Sequence, residues 1–266
     1  MKPLLSIITV TMNHFALLKR MLTSLYVEAT PSCSFELIVI DNCSTDGTEE
    51  YIKTHYPQIN YIKNENIAGF AANNNRGAAI AEGDYILVLN PDIILLPGSI
   101  DQLMDYLQTH PDVGIVAPRL LNTDHTLQYS ARTFISPSIL LARLLTKSKD
   151  GSNNGTVQQY LLKNISNEVP SEVDWCMGAA LLLRKTLYAQ LNGFDEHFFL
   201  YVEDMDLCHR CWKFGKKVVY LPSSSMVHAH QRSSTKLNKK TWLHLKSIFY
   251  FWKKNRYSIQ RNHTAD

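Results

Sequence analysis

Apolar runs of strand length alternate with apolar residues at helical spacing through the first 117 residues. Leu4 to Val10, Phe35 to Ile40 and Tyr85 to Leu89 are near-continuous runs rich in strand formers, and shorter strands are predicted at Asn60 to Lys63 and Val113 to Ala117. Continuous rather than alternating apolar runs belong to strands buried on both faces of a parallel sheet. Between them, Phe15 to Tyr26 sets Leu17, Leu18, Met21, Leu22 and Leu25 on a helix. Further helices are predicted from near Thr48, from within Asn64 to Gly77 through Ala81, and from about Gly98 to Thr109. Strand–helix alternation at this spacing predicts an α/β fold, with a mostly parallel central sheet and helices on both faces.

The rhythm weakens after Pro118. Arg132 to Leu145 holds an apolar helix candidate, and Lys147 to Thr156 is a polar Ser/Asn/Gly loop. This stretch reads as an insertion on one domain. Order returns at Glu172 to Arg184, where Trp175 and Gly178 precede a strand-like run. A helix then begins with Glu203, Asp204 and Asp206 and continues through Trp212. Asp206 and Arg210, four apart, are predicted to pair on its surface. A strand at Lys217 to Tyr220 leads to Pro222 and the run Met226-Val227-His228-Ala229-His230.

The chemistry gathers where strands end. Thr11-Met12-Asn13, Asp41-Asn42 and Asn90-Pro91-Asp92 each follow an apolar run, and in open α/β sheets ligands bind at the carboxyl ends of strands. Pro91 stops its strand, having no N–H for the ladder. A carboxylate such as Asp41 can accept hydrogen bonds from a nucleobase or ribose there, and Asp46 is placed to cap the helix near Thr48. Gly69, Asn74 and their small neighbours at a helix start predict close backbone approach and N–H donors for a phosphate. Neither G-x-G-x-x-G nor G-x-x-x-x-G-K-[ST] occurs, so a dinucleotide site and a P-loop are not supported. The acidic trio at 203–206 reads either as chemistry or as charge complementing a helix dipole. His228 and His230 read as packed residues or as ligands.

Composition adds bounds. A chain of 266 residues, 45% hydrophobic, suffices for one large domain or a domain with an appendage. From Lys236 onward eight Lys and Arg face Asp266 alone, so of the net +3 the last 31 residues carry +7 and the rest −4. Trp242, Leu243, Leu245, Ile248, Phe249, Phe251 and Trp252 are interleaved with this charge. The tail reads either as a helix packed on the body with a basic face, or as a segment on an anionic membrane surface. A nucleic-acid partner is not expected. No apolar run is long enough to span a bilayer, and Met1-Lys2-Pro3 leads straight into the first strand. The expected location is cytoplasmic, with peripheral attachment to the inner membrane face through the tail. Five irregularly spaced cysteines read as reduced thiols. Cys208-His209-Arg210-Cys211 lacks the second pair that a zinc site of this type needs.

Taken in order, SIITVTMN, VIDNCSTDGT, GFAANNNRG, LVLNPDI, WCMGAALLLR, GFDEHFFLYVEDMDLCHR and VHAHQRS resemble the family 2 inverting glycosyltransferases of the GT-A fold. The bacterial rhamnosyltransferase-like members that build surface polysaccharides are the most similar subgroup, and the resemblance runs from about Leu4 to Ser233. It implies a GT-A domain over 1–235, with a nucleotide-sugar half to about 118 and an acceptor half from 119, then a basic aromatic tail over 236–266. It implies that Asp41 contacts the base, with Thr11, Asn13, Asn42, Gly69, Asn74 and Asn90 lining the donor site. Asn90-Pro91-Asp92 stands in the place of the D-x-D motif, with Asp92 as the metal carboxylate and Asn90 leaving one charge fewer. Asp204, beside Glu203, is the implied catalytic base. His228 is the implied metal or diphosphate ligand, and His230 is an alternative because the family's glycine shortly after is replaced by Gln231 and Arg232. Mg²⁺ or Mn²⁺ is the implied cofactor, and a nucleotide-diphosphate sugar (dTDP-rhamnose or a UDP-sugar) the donor. The implied acceptor is a saccharide or lipid-linked saccharide. Two alternatives remain: a catalytically inactive GT-A-like binding subunit, and a nucleotidyltransferase, which normally carries a glycine- and basic-rich phosphate loop absent here.

Overall fold

A computed structural model of the chain describes residues 2–146, 150–229 and 239–255. Its first half follows the apolar pattern. β1 (Leu5–Thr11), α1 (Phe15–Thr23, continued by a π-helical turn at Ser24–Glu28), β2 (Phe35–Asp41), α2 (Thr48–His55), β3 (Asn60–Lys63), α3 (Phe70–Ile80) and β4 (Tyr85–Leu89) succeed one another. The four strands are parallel in the order β3-β2-β1-β4. Leu5, Ile7 and Ile8 of β1, Ile38 to Ile40 of β2 and Ile86 to Leu89 of β4 are at most 1% exposed, so both faces of the sheet are covered. In register Thr11 lies beside Asp41, which sets the ends of β1 and β2 level.

The second half opens with β5 (Ile93–Leu95), α4 (Ser99–Thr109), β6 (Val113–Leu121), β7 (Leu127–Gln128), β8 (Ala131–Arg132), α5 (Pro137–Leu145) and α6 (Gly155–Tyr160). It continues with β9 (Ser171–Glu172), β10 (Trp175–Cys176), β11 (Ala180–Arg184), α7 (Lys185–Gln190), α8 (Glu203–Lys213), β12 (Lys217–His228) and α9 (Lys239–Lys254). β11 enters the sheet antiparallel between β4 and β6, and β12 runs parallel to β6. β5 closes the edge antiparallel to β12, giving β3-β2-β1-β4-β11-β6-β12-β5. One apolar cluster takes side chains from α1, α2 and α4, and the other from α3, α7, α8 and α9.

Three local expectations change. β6 and β12 run past Ala117 and Tyr220, straight through Pro118 and Pro222. Their register slips between Leu221 and Ser225, opposite Pro118 and Arg119, and an irregular ladder accommodates residues that cannot donate. The polar loop is shorter than expected, because Asn154 caps α6 by accepting from Val157 N (3.1 Å) and so draws Gly155 and Thr156 into a helix. Asp206 is fully buried rather than on a surface. It accepts from Arg210 Nε and from Lys254 Nζ, both at 2.7 Å. Asp46 lies one residue outside the cap position that Gly47 occupies, and it ties two helix starts together through Phe15 N (2.8 Å) and Thr48 Oγ1 (2.6 Å).

α9 is packed on the body by its second half. Ile248, Phe251 and Trp252 are buried, the Trp252 indole donates to Ile135 O (2.8 Å), and the Phe251 ring sits 5.4 Å from that of His209 on α8. Trp242 and Phe249 stay exposed. Cys208 and Cys211 lie in the same apolar cluster, where burial pushes the Cys211 thiol up to about 12. Among the described residues no helix is long and apolar enough to cross a membrane.

Candidate active site

β4 is followed by a tight turn. Asn90 N donates to Ala179 O (2.8 Å), Ile93 N returns to Asn90 O (3.2 Å), and Pro91 is buried between them. The turn presents Asp92 with 17% of its side chain exposed. β12 ends at His228, opposite Ile93, and Ala229 N donates to Asp92 O (2.9 Å). These two strand ends bring His228 Nε2 to 3.3 Å from Asp92 Oδ1. His228 Nδ1 lies 2.6 Å from Gln128 Oε1, and Gln128 Nε2 donates to Asn122 Oδ1 (3.1 Å). With that amide oriented by Asn122, Nδ1 donates to Gln128 Oε1 and Nε2 faces Asp92. One carboxylate oxygen and one imidazole nitrogen fit a divalent cation whose other positions are filled by diphosphate oxygens and water. Among the described residues no cluster of three or more His, Cys, Asp or Glu gathers, so this pair is the set on offer. His230 lies outside the described residues.

Sequence reasoning missed Gln128, which sits in a two-residue strand with no motif around it. A metal-facing histidine is commonly fixed through its other ring nitrogen, and losing such a partner costs about 10–100-fold in metal affinity. Gln128→Leu is therefore expected to weaken Mn²⁺-dependent nucleotide binding by about that factor with the fold retained. Unchanged affinity in a titration would remove Gln128 from the site.

The second centre starts α8. Tyr201 and Val202 take left-handed backbone (φ 69° and 74°), a costly conformation for a β-branched residue, and the chain then turns into the helix. Asp204 Oδ2 accepts from Gly178 N and Oδ1 from Met205 N, each at 2.8 Å. A Cβ on Gly178 would stand 3.1 Å from that of Asp204, so glycine permits the approach. Asp204 is partly exposed, whereas Glu203 is 5% exposed with Oε2 buried and lacking a hydrogen-bond partner. Burial and the Asp204 charge push the Glu203 carboxyl well above the carboxylate range. Burial also raises Asp204, but the N–H groups of Gly178 and Met205 and the charge of Arg132 favour its ionised form. Within the coupled pair Glu203 keeps the proton and Asp204 is the carboxylate. The two centres are neighbours through consecutive residues. Gly178 N reaches Asp204, and Ala179 O receives Asn90 N.

The third group sits at the β1, β2 and α3 ends, where many of the polar side chains are hydrogen-bonded within the protein. Asp41 is fully buried. It accepts from Ser44 N (2.8 Å) and from the Tyr61 hydroxyl, and so anchors its loop. Asn13, in left-handed backbone, binds Thr45 N through Oδ1 (2.9 Å). Asn42 clamps Ala68 through both its amide groups (3.0 and 2.9 Å). Gly69 is a packing glycine, since a Cβ there would lie 2.7 Å from Phe199 O. The first N–H of α3, from Phe70, donates to that same carbonyl (2.9 Å) and is not turned to a phosphate. Asn74 Nδ2 donates to Phe70 O (2.9 Å), and its Oδ1, like Thr11 Oγ1, is buried with no partner. Asn73 and Asn75 are also spent internally. Asn75 holds Phe194 and Tyr188, fastening α3 to the segment before α8. A polar cleft remains open beside this group, between Lys63–Ala68 and the Asn73 and Arg76 side of α3.

Residues 6–188 match the model of a family described as Glycosyl transferase family 2. The chain belongs to that family. An N-acetylglucosaminyl-diphospho-decaprenol L-rhamnosyltransferase of Mycobacterium tuberculosis (strain ATCC 25618 / H37Rv) is 31% identical over 267 residues, covering 94% of this chain and 84% of the relative. The rhamnosyltransferase WbbL of Escherichia coli (strain K12) is 29% identical over 265 residues, covering 96% and 95%. Among solved structures, GalNAc-T7 with UDP, GalNAc and Mn²⁺ superposes at a TM-score of 0.68 with 15% identity, over 94% of this chain and 48% of that one. The mannosyltransferase PcManGT of Pyrobaculum calidifontis, with GDP-Man and Mn²⁺, gives 0.61 and 18%, over 96% and 65%. The family 2 chain thus spans about half and about two thirds of those longer proteins. The likeness shows that its mixed sheet is a GT-A fold. It is a glycosyltransferase of the rhamnosyltransferase type.

Proposed function

We propose that this family 2 chain transfers a sugar, with inversion, from a nucleotide-diphosphate sugar to a lipid-linked saccharide in surface polysaccharide biosynthesis. dTDP-rhamnose is the first donor to try and a UDP-sugar the second. The observation that carries the reading is the junction at Gly178-Ala179, which sets the Asp204 carboxylate beside the turn that bears Asp92. The names of the two curated relatives support a rhamnosyl donor, and the name of one supports a lipid diphosphate acceptor.

Asp92 and His228 would hold Mg²⁺ or Mn²⁺, whose charge offsets that gathering on the departing diphosphate. An acceptor hydroxyl attacks the anomeric carbon from the face opposite the diphosphate. The new C–O bond forms as the bond to phosphate oxygen breaks, and the nucleoside diphosphate leaves with both electrons. The hydroxyl proton passes to Asp204, which Gly178 N and Met205 N hold in place. Neutral Glu203 beside it adds no second negative charge. Incubation with nucleotide-sugars and a lipid-linked acceptor should release nucleoside diphosphate and form a product of inverted configuration. Release of pyrophosphate, or a retained configuration, would contradict the reading.

The chain is further proposed to work at the cytoplasmic face of the inner membrane, on an anionic surface. Exposed Trp242 and Phe249 of α9, and Leu141, Leu144 and Leu145 of α5, support contact with an interface. Deleting the tail would strip Ile248, Phe251 and Trp252 from the core, so point variants test this better. Replacing Trp242 and Phe249 by serine should reduce cosedimentation with phosphatidylglycerol vesicles, and added salt should reduce it further. Equal binding to phosphatidylcholine vesicles would contradict it.

A further inference from the structure

The hydroxyl that reacts at Asp204 belongs to a sugar. If that sugar hangs from a lipid diphosphate, as the reading above has it, two phosphates lie about one sugar ring away from the base. A cation stands beside Asp204. Arg132 of β8 pairs in register with Trp175, two residues before Met177 and three before Gly178, and its charge acts on Asp204. Its guanidinium carbon lies 5.5 Å from the ring centres of both Tyr160 and Trp175. Among the described residues its N–H groups meet neutral acceptors: Tyr129 O (3.1 Å), the Tyr160 hydroxyl (3.4 Å) and Met177 Sδ (3.7 Å).

Among the described residues Arg132 makes no salt bridge to a carboxylate, although its side chain is partly buried. Two more cations join it. Arg143 of α5 stands 5.9 Å from the same Tyr160 ring and pairs with Asp150 (2.9 Å), and Lys163 Nζ lies 5.4 Å from the Tyr129 ring. A guanidinium set among aromatic rings with weak neutral partners costs free energy to desolvate, and an anion that its planar fork matches recovers that cost. Of the two carboxylates whose charge acts on Arg132, Asp150 pairs with Arg143 and Asp204 is engaged by Gly178 and Met205.

We propose that Arg132, supported by Arg143 and Lys163, is the subsite for the acceptor's diphosphate. It would orient the acceptor sugar so that one hydroxyl faces Asp204. The inference rests on the lipid-linked reading, and binding separates the two, because transfer to an acceptor is not needed for it. The probes are dodecyl diphosphate and the neutral dodecyl maltoside, titrated calorimetrically into the full chain in excess chelator, which suppresses metal-assisted binding at the donor side. Dodecyl diphosphate should bind more tightly than the maltoside. Arg132→Gln should weaken it roughly tenfold or more, as loss of charge-assisted hydrogen bonds does, and Arg132→Lys should restore only part because lysine lacks the fork. Binding of UDP or dTDP with Mn²⁺ should be unmoved, which a general loss of structure would not allow. If Arg132→Gln does not fold, the Arg143→Gln/Lys163→Gln double variant carries the test and should weaken dodecyl diphosphate severalfold. Equal affinity for both probes, or undiminished diphosphate binding in the folded variants, would overturn the subsite. Failure of lipid-linked transfer with the subsite intact would instead overturn the lipid-linked reading.

Discussion

Asp204→Asn is expected to lower kcat by roughly 10²–10⁴-fold, the range a positioned general base contributes, with little change in donor affinity. Asparagine keeps the size and one of the two acceptor oxygens, so it can serve Gly178 N or Met205 N but not both, and it cannot take the hydroxyl proton. Glu203→Gln should stay active, because the buried Glu203 carboxyl already holds its proton. The two variants also differ in stability. A carboxyl whose folded pKa is raised binds a proton that the unfolded chain gives up sooner, so stability is greatest below the ordinary carboxylate range and falls as pH rises through the folded value. Glutamine removes that titration, and chemical unfolding of Glu203→Gln should show a flatter dependence over that window. If Glu203→Gln is inactive and Asp204→Asn is active, the base has been assigned to the wrong member of the pair.

Asp92→Ala should lose about 10²–10³-fold in transfer, the cost of removing one group that stabilises charge developing on the leaving oxygens. The turn should survive, because Asn90 N, Asn90 O and the Asp92 carbonyl carry its hydrogen bonds through backbone. Excess chelator should reduce the wild type toward the level of this variant and change the variant little. Full activity of Asp92→Ala, or of the wild type in chelator, would show that no metal is held there.

Much of this was legible in the chain. Buried parallel strands such as Ile38–Ile40 and Ile86–Leu89 leave no polar alternation, so their class and their carboxyl ends could be read directly. What could not be read depends on partners far along the sequence. The partner of an α3 asparagine could not be read locally, since Asn75 holds Phe194 and Tyr188, more than a hundred residues away. Pro118 and Pro222 argue against strands one at a time, and only side by side do they share an irregular register. Gln128 and Arg132 sit in two-residue strands without periodicity, and their closeness to His228 and Asp204 arises only in space. The tail's mixture of aromatic and basic residues was ambiguous because one helix both fills the core, through Phe251, and exposes Trp242.

The separation of the two centres is tested most directly by Mn²⁺-dependent binding of the nucleoside diphosphate, measured on the wild type, Asp204→Asn and Asp92→Ala with whichever of UDP and dTDP the wild type prefers. Asp204→Asn should bind as tightly as the wild type while failing to transfer, and Asp92→Ala should bind roughly tenfold or more weakly. Equal weakening in both variants, or none in Asp92→Ala, would contradict a metal centre at Asp92 and His228 distinct from a base at Asp204.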